Sequence, residues 1–445
     1  MAEANPLGAI SATWKTPELR SKIGFTLLAL LIYRIGGHIT APGIDTRALL
    51  AFFQNQQQGG AGVLGLYDLF VGGGLSRATV FALGIVPYIS ASIVFQIFGA
   101  VVPTIEKMQR EEEGRKKVTQ WTRYFTVAIA VLQALGYTIF TESLAGAVSN
   151  PGLPFRLEMV LVLTTGAVFV MWLGEQITER GIGNGASLLI FFSIVERIWP
   201  GIGQTYSYIQ TGALTPVKLI LLGIVMVFVV AATVAITVAA RRVPIQIPQR
   251  TMARGRQRES AKNFIPLRLN AANVMPIIFA STVVVVPGLI AQVFKGVQWL
   301  QSLVEYLQPG TLWYFLLTAV LILFFTYFYT AIIFNPVDIA ENLKKQSAFI
   351  PGVKPGARTA EYIDRIVTRI TLPGAVFLTF IALLPIVLSD MINTPFRFGG
   401  TSLLIVVGVG LDTVAQLQQH LLLRKYDTFM KKGKASMSRR GGMGF

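Results

Sequence analysis

The chain has 445 residues, of which 53% are hydrophobic and only 14% are charged. Soluble domains carry about 25% charged residues, so this composition excludes an ordinary soluble protein and indicates an integral membrane protein. The formal net charge of +17 is compatible with nucleic-acid binding, but basic cytoplasmic loops give membrane proteins the same excess. Cysteine is absent, which excludes disulfides, thiolate catalysis and Cys-ligated metals.

Ten apolar stretches follow one another along the chain, and each is interpreted as a membrane-spanning helix. A spanning helix needs about 20 apolar residues, and the first and fifth stretches fall short of that length. Removing just one of them would put the two termini on opposite sides of the membrane, so the sequence predicts ten helices. The stretches are 23–36, 79–102, 121–140, 159–174, 186–199, 217–240, 271–294, 312–334, 370–389 and 401–423.

Basic residues alternate between the gaps that separate these stretches. Of the 39 Lys and Arg residues, 31 fall in every second gap. Short loops rich in Lys and Arg stay in the cytoplasm, which predicts that both termini are cytoplasmic. The first stretch follows a mostly polar segment and has no small-residue cleavage site after it, so no cleavable signal peptide is expected. The basic gaps are 1–22, 103–123, 174–186, 241–268, 335–369 and 412–445.

The interiors of the ten stretches contain almost no ionisable side chain. Arg34, Glu158, Glu175 and Glu196 lie at stretch ends, and Asp412 alone lies inside the last stretch. Ion-coupled transporters use buried Asp, Glu, Lys or His as working groups. A secondary transporter is therefore disfavoured.

Motifs for catalysis or cofactor binding are also weak in this sequence. The two histidines, His38 and His420, lie far apart, and no Ser, His and acid combination can be assembled with any specificity. The run GIGNG at 181–185 follows a helix and lacks the GK[ST] ending of a phosphate-binding loop, which favours a tight cytoplasmic turn. We therefore expect no metal, no cofactor and no enzymatic activity.

Uncharged polar residues within the stretches occur in groups. Hydrogen bonds between helices explain such residues, since each contact is worth about 0.6–2 kcal/mol. A seam between helices that must open explains them equally well, and both interpretations stay open. The residues are Ser90, Ser92 and Gln96 in the second predicted helix, Gln133 in the third, and Asn270, Asn273, Ser281 and Thr282, which are assigned to the seventh.

Glycine and proline interrupt several stretches and the segment before the second one. Proline kinks a helix, and broken helices often surround a central cavity. The outer segment 59–77, GGAGVLGLYDLFVGGGLSR, is apolar in its middle and bounded by glycines, which tolerate hinge motion. It fits a half-inserted helical element and an ordinary interfacial loop equally well. The interrupting residues are Gly84, Pro87, Pro276, Pro287, Pro373 and Pro385.

Four long segments carry a more specific pattern. They are YDLFVGGGLSRATVFALGIVPYISASIVFQIFG (67–99), MWLGEQITERGIGNGASLLIF (171–191), FIPGVKPGARTAEYIDRIVTRIT (349–371) and GGTSLLIVVGVGLD (399–412). In this order they resemble the second transmembrane segment, the junction of the fourth and fifth helices, the fifth cytoplasmic loop and the tenth helix of the SecY family. The members of that family are bacterial protein-conducting channel subunits, and the resemblance covers nearly the whole chain.

The resemblance implies an all-α polytopic membrane protein with ten transmembrane helices in two pseudo-symmetric inverted halves around a central pore. Residues 1–200 would form the first half, 201–423 the second, and 424–445 a basic cytoplasmic tail. The implied function is a non-enzymatic channel in the cytoplasmic membrane that translocates unfolded secretory polypeptides and releases transmembrane segments laterally. The remaining alternative is a scaffold or insertase without a pore. Such a protein would need neither a pore ring nor a plug.

The resemblance also assigns residues to three parts of the channel. The implied pore ring is Ile85, Ile89, Ala186, Ile190, Ile278 and Ile405, where Ala186 departs from the bulky residue usual in the family. The implied plug is segment 62–74, with Leu64, Leu66, Tyr67, Leu69, Phe70, Gly72, Gly73 and Gly74. The implied lateral gate is the set of uncharged polar residues named above. A ring of aliphatic side chains can gate by dewetting.

The two large basic loops, 241–268 and 335–369, gain a role from the same resemblance. Eight cations in the first loop exceed what orientation requires, and ribosomal RNA is a natural acceptor for such a patch. The family docks the motor ATPase SecA there, and its other partners are SecE, SecG, the ribosome, secretory preproteins with their signal sequences, and lipid. The implied docking residues are Arg241, Arg242, Arg250, Arg254, Arg256, Arg258, Lys344, Lys345, Lys354 and Arg358. Lys354 stands where arginine is usual, and lysine loses the bidentate fork.

Overall fold

Helices make up nearly all the regular structure of the protein. The computed structural model describes residues 17–58, 63–212, 215–246, 263–293, 297–392 and 400–441. In chain order the helices are α1 (Pro17–Gly36), α2 (Thr46–Gln58), α3 (Val63–Phe70), α4 (Val86–Val101), α5 (Pro103–Arg110), α6 (Glu112–Glu142), α7 (Leu153–Arg180), α8 (Gly185–Glu196), α9 (Ile198–Gln210), α10 (Pro216–Val238), α11 (Met275–Val293), α12 (Gln298–Tyr306), α13 (Leu312–Ile333), α14 (Pro336–Lys345), α15 (Ala357–Ile392) and α16 (Gly400–Gly441). Two strands, β1 (Ala240–Ile245) and β2 (Asn263–Arg268), form one antiparallel hairpin.

Each of the ten predicted stretches coincides with a helix. Among the described residues, seven helical segments are long and apolar enough to cross a membrane, and the bent pair α4 and α5 would be an eighth. The remaining two are α1, whose ends carry charged residues, and α11, whose apolar part Met275–Gly288 is shorter. The chain is thus a multi-pass membrane protein, consistent with ten spans.

The second apolar stretch, 79–102, is helical only from Val86, which corrects the expected helix start. Gly84 has φ +55°, a left-handed conformation that an α-helix does not accommodate, and the preceding residues form turns. Pro87 therefore lies in the first turn of α4, where a missing N–H costs nothing, and does not kink the helix interior. Beyond Val101 the chain bends by 106° into α5.

Apolar side chains are divided between an interior and an outward surface. One large buried cluster joins residues of α1, α4, α7, α8, α10, α11, α13, α15 and α16, and a second joins α3 and the residues after it to α2, α6 and α7. On α10, by contrast, Ile220, Ile224, Val227 and Phe228 are all exposed. Lipid tails are as apolar as these side chains, so such a face is stable in a bilayer.

The hairpin of β1 and β2 lies within the first large basic loop and contacts the second. Gln246 and Phe349 form an isolated antiparallel bridge, with each N–H donating to the other carbonyl at 2.9 Å. Val243 and Leu267 of the hairpin are buried in one small core with Ile350 and Ile363 of the second loop region. The described parts of the two basic loops therefore form one folded unit.

Candidate pore, plug and seam

Five isoleucines expected in the pore ring lie in one buried cluster. Ile85 caps the N-terminus of α4 and Ile89 follows one turn later, with its N–H donating to the Ile85 carbonyl at 3.1 Å. Each of the five is at most 6% exposed, and Ala186 packs against the same cluster. The remaining members are Ile190 on α8, Ile278 on α11 and Ile405 on α16. Four separate helices thus bring aliphatic side chains to one place.

A cavity of about 290 Å³ opens on one side of this cluster. Ile89, Ala186, Ile190 and Ile278 form its apolar floor. Its polar wall contains an ion pair in which the Nε of Arg123 lies 2.9 Å from a carboxylate oxygen of Glu175. The further polar lining is Ser92, Gln96, Thr119, Thr178, Glu179, Asn184 and Ser187. This lining comes from the predicted cytoplasmic gaps 103–123 and 174–186 and from helix segments near them, so the cavity is a polar vestibule.

Helix α3 closes the opposite side of the ring. Tyr67 and Phe70 of α3 line a gap of about 10 Å³ together with Ile89, Ile190 and Ile278. A gap of that size holds no more than about one water molecule. The isoleucine cluster and α3 are therefore packed closely together.

Tyr67 and Asp68 fix α3 to its surroundings. The phenol of Tyr67 donates to the carbonyl oxygen of Leu83 at 2.9 Å. Asp68 is 1% exposed, accepts a hydrogen bond from the N–H of Ser76 at 2.9 Å, and lies 2.7 Å from the Nη1 of Arg197. Segment 63–70 is thus a helix, and its residues Tyr67 and Asp68 are buried.

The glycines after α3 differ in their roles. Gly72 and Gly73 have φ of +74° and +85°, so they permit a turn that other residues resist. Gly74 has no such conformation, but a Cβ there would lie 2.9 Å from the Oγ1 of Thr79, so it is small for packing. Leu69 and Phe70 are half-buried, while residue 62 and the side chains of Leu64 and Leu66 lie outside the described part.

The run 181–185 is a tight turn between α7 and α8, as predicted. Three of its five N–H groups have internal acceptors: Gly181 donates to Ile177, Ile182 to the hydroxyl of Thr26, and Gly185 to the hydroxyl of Thr178. A phosphate cradle would need such donors free. A Cβ on Gly185 would also collide with the carbonyl oxygen of Gly174, which explains the glycine.

Three of the residues expected at the lateral gate line a second cavity, of about 460 Å³, between α4, α6 and α11. Ser90 and Thr282 donate their hydroxyl hydrogens within their own helices, to Val86 and Ile278. The Oε1 of Gln133 is buried without a hydrogen-bond partner. The rest of the lining is apolar: Ile93, Val94, Ile97, Phe125, Ile129, Leu132, Val283, Val286 and Pro287. The three helices enclose an apolar space here, with little polar bonding across it.

The other residues of that set lie elsewhere. Ser92 and Gln96 line the vestibule, where the amide of Gln96 donates to Ser92 at 2.9 Å, and Ser281 donates to Ile277 in its own helix. Asn270 and Asn273 precede α11 instead of belonging to it, which corrects their assignment to the seventh helix. Asn273 adopts a left-handed conformation, with φ +51°. Its backbone carbonyl accepts a hydrogen bond from the side-chain amide of Asn270, and its own side-chain amide donates to a carboxylate oxygen of Asp412 on α16 at 3.3 Å. These two residues therefore join α11 to α16.

Ion pairs are the functional candidates that sequence reasoning missed. Besides Asp68 with Arg197, Arg34 on α1 pairs with Glu196 on α8, and Glu142 on α6 pairs with Arg156 on α7. The sequence placed several of these charges at helix ends, but nothing in it indicated their partners. In the described part of the chain, no three His, Cys, Asp or Glu side chains cluster closely enough to hold a metal ion.

The described docking candidates lie on the unit formed by the two basic loops. Arg241 and Arg242 are exposed on β1, and the Arg242 guanidinium lies 4.9 Å from the ring centre of Phe264. The other described cations lie on either side of Phe349, the residue that is bridged to Gln246. Lys344 and Lys345 precede it, Lys354 and Arg358 follow it, and all four are exposed. Arg250, Arg254, Arg256 and Arg258 lie outside the described residues.

Comparison with known proteins identifies the family. A family model described as SecY matches residues 79–414, which is more than half of the chain. The chain belongs to the SecY family. The protein translocase subunit SecY of Escherichia coli strain K12 is 43% identical over 439 residues, covering 97% of this chain and 98% of that protein. The resemblance seen in the sequence is confirmed.

Solved structures share the fold of this SecY family member. One concerns the plug domain of the SecY protein, described as stabilising the closed state of the translocation channel, with a TM-score of 0.64. Another is Sec61 in the canine ribosome-channel complex, with a TM-score of 0.61. Each is 16% identical and covers 90% of this chain and 92% of its own. At that identity the likeness concerns the fold alone, and it confirms the expected all-α membrane fold.

Proposed function

We propose that this chain is the channel-forming subunit of a protein translocase. It conducts unfolded secretory polypeptides across the membrane and releases transmembrane segments laterally. The observation that carries the proposal is the packing of α3 directly against the isoleucine cluster, with a gap of only about 10 Å³ between them. Relatives over nearly the full length are protein translocase subunits, a family of channel subunits and not of enzymes.

The ring supplies a seal that can also open. Its side chains come from α4, α8, α11 and α16, so a shift of these helices relative to one another changes the opening. Aliphatic side chains resist ions by dewetting and deform around a passing chain without forming strong bonds to it. Segment 62–74 would be the plug, which leaves when a polypeptide enters.

The cavity of about 460 Å³ would be the lateral exit. Its apolar lining suits the side chains of a signal sequence, and few hydrogen bonds must break when α4 and α6 separate from α11. Ser90, Gln133 and Thr282 are the residues of the expected gate that support this role. The exit would lie between the proposed halves 1–200 and 201–423.

The membrane and the partners follow from the charge pattern. The proposed location is the cytoplasmic membrane with both termini inside, so that the unit containing β1, β2 and Lys354 faces the cytoplasm. Its exposed cations would dock SecA or the ribosome, and a canine relative of the same fold occurs in a ribosome-channel complex. SecE and SecG would be the small membrane partners.

A cross-linking experiment tests the proposed function directly. The chain has no native cysteine, so Ile278→Cys gives a single thiol in the ring, where the isoleucine is 3% exposed. A stalled secretory polypeptide carrying a thiol-reactive group should cross-link to position 278. The matched control is Ile224→Cys on the exposed face of α10. Equal cross-linking at both positions would exclude a central path.

A further inference from the structure

Asp68 is the sole charged residue of α3, and its carboxylate is buried. The side chain is only 2% exposed, and its Oδ2 lies 2.7 Å from the Nη1 of Arg197, the residue after α8. The two residues are 129 positions apart in the chain. The pair thus joins the plug helix to a helix that also supplies Ile190 to the ring.

The two carboxylate oxygens of Asp68 have separate tasks. Oδ1 accepts the N–H of Ser76 at 2.9 Å, and the Asp68 carbonyl accepts the N–H of Gly73 at 2.8 Å, so these bonds are local to the plug and the residues just after it. Oδ2 instead reaches Arg197, far away in sequence. Besides the hydrogen bond from Tyr67 to Leu83, this ion pair holds the plug to its surroundings.

The surroundings leave Arg197 available for this contact. Its neighbour in sequence, Glu196, is already paired with Arg34 of α1, so it does not neutralise Arg197. Gly73 lies close to the pair: a Cβ there would be in ordinary van der Waals contact, 3.9 Å from the Nη1 of Arg197. The Arg197 side chain is 26% exposed, which keeps its charge partly hydrated.

We propose that the Asp68–Arg197 pair is a latch that sets the threshold for plug release. The inference rests on the proposed channel function and deepens it, because both residues act as positioning residues for the plug. When α3 leaves the ring, Asp68 and Arg197 lose their mutual attraction, and Arg197 stays beside α8 without its anionic partner. A charge left without its partner in a partly buried site is costly, so the pair favours the closed state until an entering polypeptide moves α3 or α8.

The test removes the charge and keeps the shape. Asp68→Asn retains an oxygen for the Ser76 N–H but removes the carboxylate that pairs with Arg197. The matched control is Glu142→Gln, because Glu142 also pairs with an arginine at 2.7 Å and accepts a backbone N–H, that of Gly152, at 3.1 Å. Neither Glu142 nor Arg156 belongs to the plug or the ring.

The readout is the resting ion conductance of proteoliposomes that contain the full chain. Asp68→Asn should raise it on the order of tenfold, which corresponds to about 1.4 kcal/mol. Glu142→Gln should leave it unchanged. In addition, a Leu69→Cys reporter on the plug should react faster with a thiol reagent in the Asp68→Asn background.

A double-mutant cycle separates a latch from a general loss of packing. Arg197→Gln should raise the conductance as Asp68→Asn does, the double variant should leak no more than either single variant, and Arg197→Lys should restore most of the seal. If the conductance increases of the two single variants multiply in the double variant, the latch is wrong. It is also wrong if Asp68→Asn leaks no more than Glu142→Gln. Deletion of 62–74 serves as reference: if the deletion leaks and Asp68→Asn does not, only the latch fails, whereas a tight deletion variant contradicts the proposed plug.

Discussion

The phenol of Tyr67 in α3 donates a hydrogen bond to the carbonyl oxygen of Leu83, just before α4, at 2.9 Å. Tyr67 also lines the small gap beneath the isoleucine ring. One side chain therefore fills space beside the isoleucine cluster and ties α3 to the segment that leads into the second span. Substitutions can test this contact, the isoleucine ring, the seam between α4, α6 and α11, and the close packing of α7 against α8 at glycine.

Replacing Tyr67 by phenylalanine should loosen the plug without emptying its site. The change leaves the buried Leu83 carbonyl unpaired, at a cost of about 1 kcal/mol, and should raise resting conductance about fivefold. Burial raises the pKa of the Tyr67 phenol. Since a raised pKa favours the protonated donor, the contact is complete below about pH 10 and weakens only above it. Tyr306→Phe on exposed α12 is the control, and a conductance that changes between pH 6 and 8 would contradict this account.

Introducing a polar group into the ring should make it leak. Ile405 is fully buried, and Ile405→Asn places an amide where the seal depends on dewetting. We expect higher ion conductance and acceptance of weaker signal sequences, as for deletion of 62–74. Ile405→Leu, which keeps the volume, is the control and should stay tight. If the asparagine variant is as tight as the leucine variant, Ile405 is not part of the seal.

Filling the seam cavity should stabilise the closed seam. The Oε1 of Gln133 is buried without a partner in an apolar cavity, so Gln133→Leu removes a desolvated polar atom. The expected gain is about 1 kcal/mol in stability, seen as a raised Tm, with less lateral release of weakly hydrophobic segments. Gln120→Leu, at an exposed position of the same helix, should change neither quantity. A lowered Tm for Gln133→Leu would contradict the assignment.

Adding one methyl group at Gly185 should disrupt the junction of α7 and α8. The new Cβ would collide with the Gly174 carbonyl oxygen, and a rigid backbone atom cannot move aside cheaply. We expect Gly185→Ala to cost about 1–3 kcal/mol and to lower Tm measurably. Gly203→Ala on α9, where no heavy atom lies within 4 Å of the new Cβ, should be neutral or slightly stabilising. Equal Tm values for the two variants would contradict this prediction, because they would show that the structure accommodates a Cβ at position 185.

Reversing cations on the loop unit should weaken partner binding and leave insertion intact. Lys344→Glu with Lys345→Glu changes exposed charges beside the bridge between Gln246 and Phe349, and Arg254, Arg256 and Arg258 offer a second set. Binding of SecA or ribosomes should fall at least tenfold at low salt and depend less on ionic strength. Arg47→Glu, an exposed change in a predicted outer gap, is the control. Unchanged binding would show that these cations serve only to orient the chain in the membrane.

Much of the fold could be predicted because the relevant signals are local. Apolar length identified the stretches that lie in α6, α7 and α13, and the alternating cations predicted their orientation. The start of the second span was misplaced, since the apolar run at 79–85 gives no sign that Gly84 adopts a left-handed conformation. Asn270 and Asn273 were misplaced for a similar reason: polarity alone does not separate a turn before a helix from the helix itself.

For the candidate site too, some features could be predicted from the sequence and others depend on the tertiary structure. The sequence by itself determined a polytopic membrane protein, its basic loops and, through resemblance, a set of ring residues, because hydrophobicity and charge act along the chain. Tertiary structure alone decided that Ile85 and Ile405 meet in one cluster, that Gln246 bridges to Phe349, and that Asp68 pairs with Arg197. Such contacts join residues far apart in sequence, so they depend on how the helices pack and not on the local pattern of either segment.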